Sequence, residues 1–212
     1  MGDINFFDVF FVKCGVIGWL LWLLSIGTLA IIVEYFISIR RVNVLPADVL
    51  QQIQMQFEDK QYRDVIELTE NEPSFLSYVV HAALSEAGHG YAAMERAMEE
   101  AAEERTTKLL RKIEWLNLIG NVSPMLGLMG TVWGMILAFF QIVAKGGQPS
   151  PGDLAEAIGI ALVTTLLGLV IAIPALAVYA VMRNRIDTLS SETMVASQDL
   201  ISNFRPGGKK SV

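Results

Sequence analysis

Cysteine is all but missing from this chain: Cys14 stands alone among 212 residues. An internal disulfide is therefore impossible, and no cysteine-based metal set can be assembled. Cys14 reads as a small apolar residue near the start of a membrane helix. Histidine is nearly as scarce. His81 and His89 fall in a segment expected to be polar and helical, where they read as solvent-facing or core residues. Charge is thin as well: Asp, Glu, Lys and Arg make up 18% of the chain, against roughly 25% in an ordinary soluble domain. No Lys/Arg patch amounts to a nucleic-acid footprint. The net charge of −6 is local, because residues 40–115 carry fourteen Asp/Glu against nine Lys/Arg. No nucleophile–base pair and no metal-ligand group emerges, so neither an enzyme nor a cofactor or metal site is expected.

Apolar residues are what the chain has in excess, at 53%. Three runs reach the ~20 residues that a bilayer crossing takes: 16–39, 116–143 and 158–182. A cleaved signal peptide is a poor account of the first run. Asp3 and Asp8 would sit in its n-region with only Lys13 basic, and Glu34-Tyr35-Phe36 offers no small-x-small cleavage site. The expected fold is an all-α integral membrane protein with three transmembrane helices and a cytoplasmic helical domain.

Orientation follows the Lys/Arg bias at the ends of the runs. Arg40 and Arg41 follow the first; Lys108, Arg111 and Lys112 precede the second; Arg183 and Arg185 follow the third. The opposite side holds only Lys13 and Lys145. The expected order is therefore a periplasmic segment 1–15, a span 16–39, a cytoplasmic domain 40–115, a span 116–143, a periplasmic turn 144–157, a span 158–182, and a cytoplasmic helix and tail 183–212. The N-terminus lies outside and the C-terminus inside.

Within 40–115, Pro46-Ala47-Asp48 starts a helix with Val49, Ile53 and Phe57 on one stripe. Pro73-Ser74 opens another, and Gly88 and Gly90 punctuate its end. From Tyr91 the pattern runs without a breaker into the second span. Glu104 and Lys108 are spaced to pair on that stretch, whereas Lys108 and Lys112 repel at the same spacing. A helix over 91–143 would be on the order of 80 Å long, a stalk reaching into the cytoplasm. Gly146, Gly147, Pro149, Pro151 and Gly152 make the next link a tight turn, which forces spans two and three into an antiparallel hairpin. The ending Arg205-Pro206-Gly207-Gly208-Lys209-Lys210 reads as disordered.

On the third span, Ala161, Thr164, Thr165, Gly168, Ala172, Ala175 and Tyr179 fall within an arc of roughly 100°, and bulky aliphatics fill the rest. On the second, Asn117, Asn121, Pro124, Gly127, Thr131, Gly134, Ala138 and Gln141 recur at steps of three or four. Two readings are open. Small faces let membrane helices pack closely, or hydroxyls and amides, which both donate and accept, line a water-filled path. Neither span holds an Asp, Glu, His, Lys or Arg in its apolar interior. Proton relays in membranes generally use an ionisable group, so a carrier would come from another chain. Glu34, near the end of the first span, reads as a structural or orienting carboxylate that snorkels, pairs with Arg40 or Arg41, or caps a helix contact.

Two strings on this hairpin carry a resemblance: Pro124-Met125-Leu126-Gly127-Leu128-Met129-Gly130-Thr131-Val132-Trp133-Gly134-Met135, and the run from Ala161 to Ala175 with Thr165, Gly168, Ala172 and Pro174. Together they resemble the MotA/TolQ/ExbB proton-channel family over roughly residues 12–187, and more closely its biopolymer-transport branch than the flagellar stators. The resemblance implies a homopentamer of three-span subunits in the bacterial inner membrane. Two copies of a single-span ExbD/TolR-like partner supply an intramembrane Asp. By motif position it assigns Thr131 and Thr165 as pore-lining hydroxyls, with Thr164 beside them. The helix-packing and pore face comprises Pro124, Gly127, Gly134, Ala161, Gly168, Ala172, Ala175 and Tyr179. The implied function is a motor subunit that turns proton motive force into work on the envelope; a non-conducting scaffold is the alternative. Several relatives carry a Glu where this chain has Ile160, and Glu156 lies one turn earlier.

Overall fold

A computed structural model describes residues 15–147 and 150–205. Cys14, nearly all of segment 1–15, Gln148-Pro149 and the ending from Pro206 lie outside the described residues. The regular structure is helical throughout: α1 Gly15–Ser38, α2 Arg41–Val44, α3 Ala47–Glu58, α4 Tyr62–Asn71, α5 Phe75–Ser85, α6 Tyr91–Ala144 and α7 Pro151–Ile201. Short 3-10 turns follow α5 and α7, at Ala87–His89 and Ser202–Phe204. Among the described residues three helices, α1, α6 and α7, are long and apolar enough to cross a membrane. The protein is an all-α membrane protein, and the chain divides into two compact units.

The first unit joins residues 15–34 to 114–180. Here α6 and α7 run antiparallel: a Cβ on Gly120 would meet Leu176, one on Gly127 would meet Thr164 and Thr165, and one on Gly134 would meet Ala161. After α6 the backbone turns through Gly146 (φ 64°) and Gly147 (φ 86°). The N–H of Gly147 caps the Ile142 carbonyl at 2.9 Å. Glycine takes these left-handed angles without a Cβ penalty. Pro151 then opens α7, where a missing N–H costs nothing. Helix α1 carries large apolar side chains all around its circumference from Val16 to Val33, as suits contact with lipid. It anchors through Leu21, buried with Leu167 and Ile171 and ringed by Ile17, Trp22, Leu24, Ile119, Leu126 and Val163. The buried hydroxyl of Thr28 donates to the Leu24 carbonyl at 2.6 Å and so needs no outside partner. Pro124 and Pro174 lie inside α6 and α7, a placement that membrane helices tolerate better than soluble ones.

The second unit joins residues 35–113 to 181 onward. Helix α3 buries the expected stripe of Val49, Ile53 and Phe57. Ser74 caps α5, its Oγ accepting from the Ser77 N–H at 3.1 Å, and Gly90 ends the following turn at φ 94°. Helix α4 is an addition to the sequence reading. Only Val65 and Thr69 of its ten residues are buried, so its apolar stripe is too sparse to announce a helix. A ring cluster fixes its start: Tyr62 lies 6.1 Å from Phe57 and 5.3 Å from Phe204. The second half of α7 buries Met182, Ile186, Leu189, Thr193, Ser197 and Leu200 at helical spacing, each large apolar side chain worth roughly 1.5–3 kcal/mol. Tyr35 donates to the Lys112 carbonyl, and Arg41 lies 3.2 Å from Glu192. Lys108 pairs with Glu104, as their spacing predicts. His81 is half-buried, its Nδ1 3.3 Å from the Thr69 hydroxyl; His89 is exposed and pairs with Glu86 at 2.8 Å.

Candidate functional site

The α6–α7 hairpin divides the polar residues of spans two and three between a closed seam and an open strip. The seam on α6 consists of Gly120, Ser123, Gly127, Gly130, Gly134 and Ala138, all buried. Against it lie Ala161, Thr164, Gly168, Ala172 and Ala175 of α7, also buried. Backbones nearly touch along this line. A Cβ on Gly168 would stand 2.6 Å from the Ser123 carbonyl oxygen, and one on Gly127 would stand 3.0 Å from the Thr164 oxygen. Such close approach is how small residues bind membrane helices together.

The strip lies roughly a quarter turn around α6 from the seam. Asn117, Pro124 and Thr131 are half-buried there, and Asn121 is exposed. Gln141 is exposed near the turn. The sequence stripe on this helix therefore straddles two surfaces: Gly127, Gly134 and Ala138 belong to the seam, and Asn117, Asn121, Pro124 and Thr131 to the strip. Gly120, Ser123 and Gly130 complete the seam and were outside the stripe read from the sequence. Their signal was a second small-residue series one position away from the first.

The threonines occupy different settings. Thr164 is 2% exposed; its hydroxyl donates to the Ala161 carbonyl at 2.7 Å. Thr165 is half-buried and donates across the hairpin to the Gly127 carbonyl at 3.1 Å. Thr131 donates to the Leu128 carbonyl of its own helix at 2.7 Å. Each hydroxyl keeps its lone pairs available to accept.

At the end of the strip marked by Arg111 and Lys112 stands a polar chain that the sequence reading missed. Asn121 Nδ2 donates to Asn117 Oδ1 at 2.9 Å. Asn117 Nδ2 donates to Glu114 Oε1 at 2.6 Å, and the half-buried Tyr179 hydroxyl donates to Glu114 Oε2 at 3.3 Å. Glu114 was counted among the acids of the 40–115 segment; its three- and seven-residue spacing to the two asparagines was the available signal.

Toward the other end, Ile160 lines a cavity of about 230 Å³ with Val16, Trp133, Leu137 and Thr164. Its lining side chains are apolar apart from the Thr164 hydroxyl and the Trp133 indole N–H. Glu34 is exposed. Of the two arginines considered as its partners, Arg40 donates to the Phe36 carbonyl at 3.1 Å and Arg41 pairs with Glu192.

Residues 70–194 match the MotA/TolQ/ExbB proton channel family. The biopolymer transport protein exbB1 of Vibrio cholerae is 30% identical over 171 residues, covering 78% of this chain and 74% of that protein. The biopolymer transport protein ExbB of Xanthomonas campestris pv. campestris is 39% identical over 82 residues, 39% of this chain and 32% of the relative. The Tol-Pal system protein TolQ of Pseudomonas aeruginosa is 39% identical over 84 residues, 40% and 36% of the two chains. With the hairpin inside the matched segment, the chain belongs to the MotA/TolQ/ExbB proton channel family, in its ExbB/TolQ-like branch.

Proposed function

We propose that this chain is the channel-forming subunit of an inner-membrane machine that converts proton motive force into mechanical work for envelope transport or maintenance. Five copies surround two copies of a single-span ExbD/TolR-like partner. The partner's intramembrane Asp takes up and releases protons beside Thr131 and Thr165. The N-terminus faces the periplasm, and residues 40–115 and 183–212 face the cytoplasm, in keeping with the lysines and arginines at the span ends. Protons, rather than sodium ions, are the coupling ion.

The observation that carries this reading is the open strip beside the sealed seam. A lone lipid-facing helix has no use for Asn117, Asn121 and Thr131 on one side, since polar groups left in hydrocarbon are costly. The strip offers hydroxyls and amides, but between Glu114 and Lys145 it contains no group able to hold a proton. A carboxylate from a partner supplies that group. Relatives in the branch are named for biopolymer transport and for the Tol-Pal system, which agrees with work done on the envelope.

One observation favours the scaffold alternative: all three threonine hydroxyls already donate to backbone carbonyls, as packing alone would require. The doubly substituted Thr131→Ala, Thr165→Ala protein separates the two. Proton flux through the isolated complex and energisation in cells are both expected to fall sharply. Full activity with normal membrane levels would leave the scaffold standing and remove the channel.

A further inference from the structure

We infer that Glu114 is the proton-accepting site at the cytoplasmic mouth of the path, reached through Asn121 and Asn117 and held in position by Tyr179. The inference rests on the channel reading above and adds to it a release site within this chain.

Three observations point to it. First, Glu114 continues the polar strip: Glu114, Asn117 and Asn121 follow one another at three and four residues, each bonded to the next. An exposed glutamate ordinarily samples many rotamers, yet here both carboxylate oxygens are engaged, one by Asn117 and one by Tyr179. Second, Tyr179 comes from the opposite helix and lies on the face of α7 that carries Thr165 and Gly168. Thr131 to Glu114 and Thr165 to Tyr179 span roughly 25 and 21 Å of helix. The two series thus run from the threonine level to nearly the same depth. Third, going back along the chain from Lys145, Glu114 is the first acidic or basic side chain met. Amides and hydroxyls do not keep a proton near neutral pH; a carboxylate can hold one.

The step is a transfer between bases. A hydronium in the path gives its proton to the Glu114 carboxylate, leaving water and a carboxylic acid. The acid then releases the proton to a buffer base of the cytoplasm and returns to carboxylate. Asn117 and Tyr179 are positioning residues, because each acts through Glu114.

The test is proton flux into pyranine-loaded liposomes driven by a valinomycin-set potassium potential. The complex is isolated through a tag on the full-length chain. Glu114→Gln is expected to slow flux at least about tenfold, with Glu114→Asp recovering most of it, because Asp keeps the carboxylate and Gln keeps only the shape. On a pH jump, the infrared band of a protonated carboxyl is expected to lose one component in Glu114→Gln. Flux within about twofold of the unmodified protein in Glu114→Gln, while Thr131→Val with Thr165→Val abolishes it, overturns the release site and leaves the channel. Equal loss in the Gln and Asp variants, with the infrared band unchanged, reduces Glu114 to a packing residue and also overturns it. Undiminished flux in both the Gln and the threonine variants overturns the channel reading itself.

Discussion

The hydroxyl of Thr165 donates to the main-chain carbonyl of Gly127, 3.1 Å away on the antiparallel helix. That bond ties the two halves of the hairpin where a glycine lets the backbones come close. It also orients the threonine so that its remaining lone pairs point away from the donated proton. Thr131, whose hydroxyl turns back to Leu128, makes no such tie. The two residues assigned to the path by family motif thus differ in what they hold together.

That difference is measurable. Hydrogen bonds between membrane helices are worth about 0.6 and at most about 1.7 kcal/mol. Thr165→Val is expected to lower the unfolding free energy of the protein in detergent by about that much, and Thr165→Ser to restore it. Thr131→Val should leave stability nearly unchanged, since its bond lies within one turn. Both Val variants are expected to reduce proton flux, with Ser tolerated at both positions. A Thr131→Val protein destabilised as much as Thr165→Val would contradict the division of roles.

The seam makes a second prediction. A methyl added at Gly168 meets the Ser123 carbonyl oxygen at 2.6 Å, and backbone cannot move aside as a side chain can. Gly168→Ala is expected to cost on the order of 1–3 kcal/mol, and Gly168→Leu to prevent accumulation of folded protein in membranes. Gly159 provides the control, because nothing lies within 4 Å of a Cβ built there. Gly159→Ala should fold and accumulate normally; immunoblots of membrane fractions with thermal melts in detergent distinguish the two.

Much of this was legible from residue order, and what was not has identifiable causes. Three long apolar runs announced three membrane-capable helices, because a bilayer leaves backbone polar groups no other solution. Ser74 announced its helix because a cap is a local bond. Helix α4 stayed hidden, since it is held by a sparse contact of Val65 and Thr69 and by ring packing against Phe57 and the distant Phe204. On α6 the small residues were visible, but not which of them faced α7. Two interleaved series, one through Asn117, Asn121 and Thr131 and one through Gly120, Ser123 and Gly130, have the same period, and only the partner helix decides between them. Glu114 was legible as a charge. Its bond to Tyr179, sixty-five positions away, belongs to the hairpin.

A third prediction concerns acid and alkali. Lys108 and then Tyr78, both hydrogen-bonded to Glu104, hold its carboxyl below the ordinary value of 4.5. The same bond to Glu104, followed by burial, raises the Tyr78 phenol above 10.0, while the Arg105 guanidinium stacks 3.9 Å over the Tyr78 ring. A carboxyl whose folded value is lowered stabilises fully above its unfolded value and loses that contribution as pH falls through the folded one. A phenol whose folded value is raised stabilises below its unfolded value and loses that as pH climbs. The cluster should therefore contribute in full between pH 4.5 and 10.0 and fade on either side. The melting-temperature difference between the unmodified chain and Glu104→Gln is expected to be flat across that window and to shrink in acid. A difference that grows in acid would contradict the assignment.

The last prediction turns on the buried hydroxyl of Ser197. On the second half of α7, Thr193 and Ser197 are both fully buried, one turn apart on the same stripe. Thr193 donates to the Leu189 carbonyl at 2.8 Å. Ser197 Oγ has no hydrogen-bond partner among the described residues. A buried polar atom without a partner costs about 1–3 kcal/mol in lost hydration, whereas the void left by one oxygen is too small to cost much in packing. Ser197→Ala is therefore expected to raise stability by about 1 kcal/mol. Thr193→Ala, which removes a satisfied hydroxyl and a packed methyl, should lower it. Chemical denaturation of the full chain in detergent reads both. If Ser197→Ala destabilises instead, its hydroxyl is bonded in the assembled protein, and the stripe on this part of α7 faces more than its own chain.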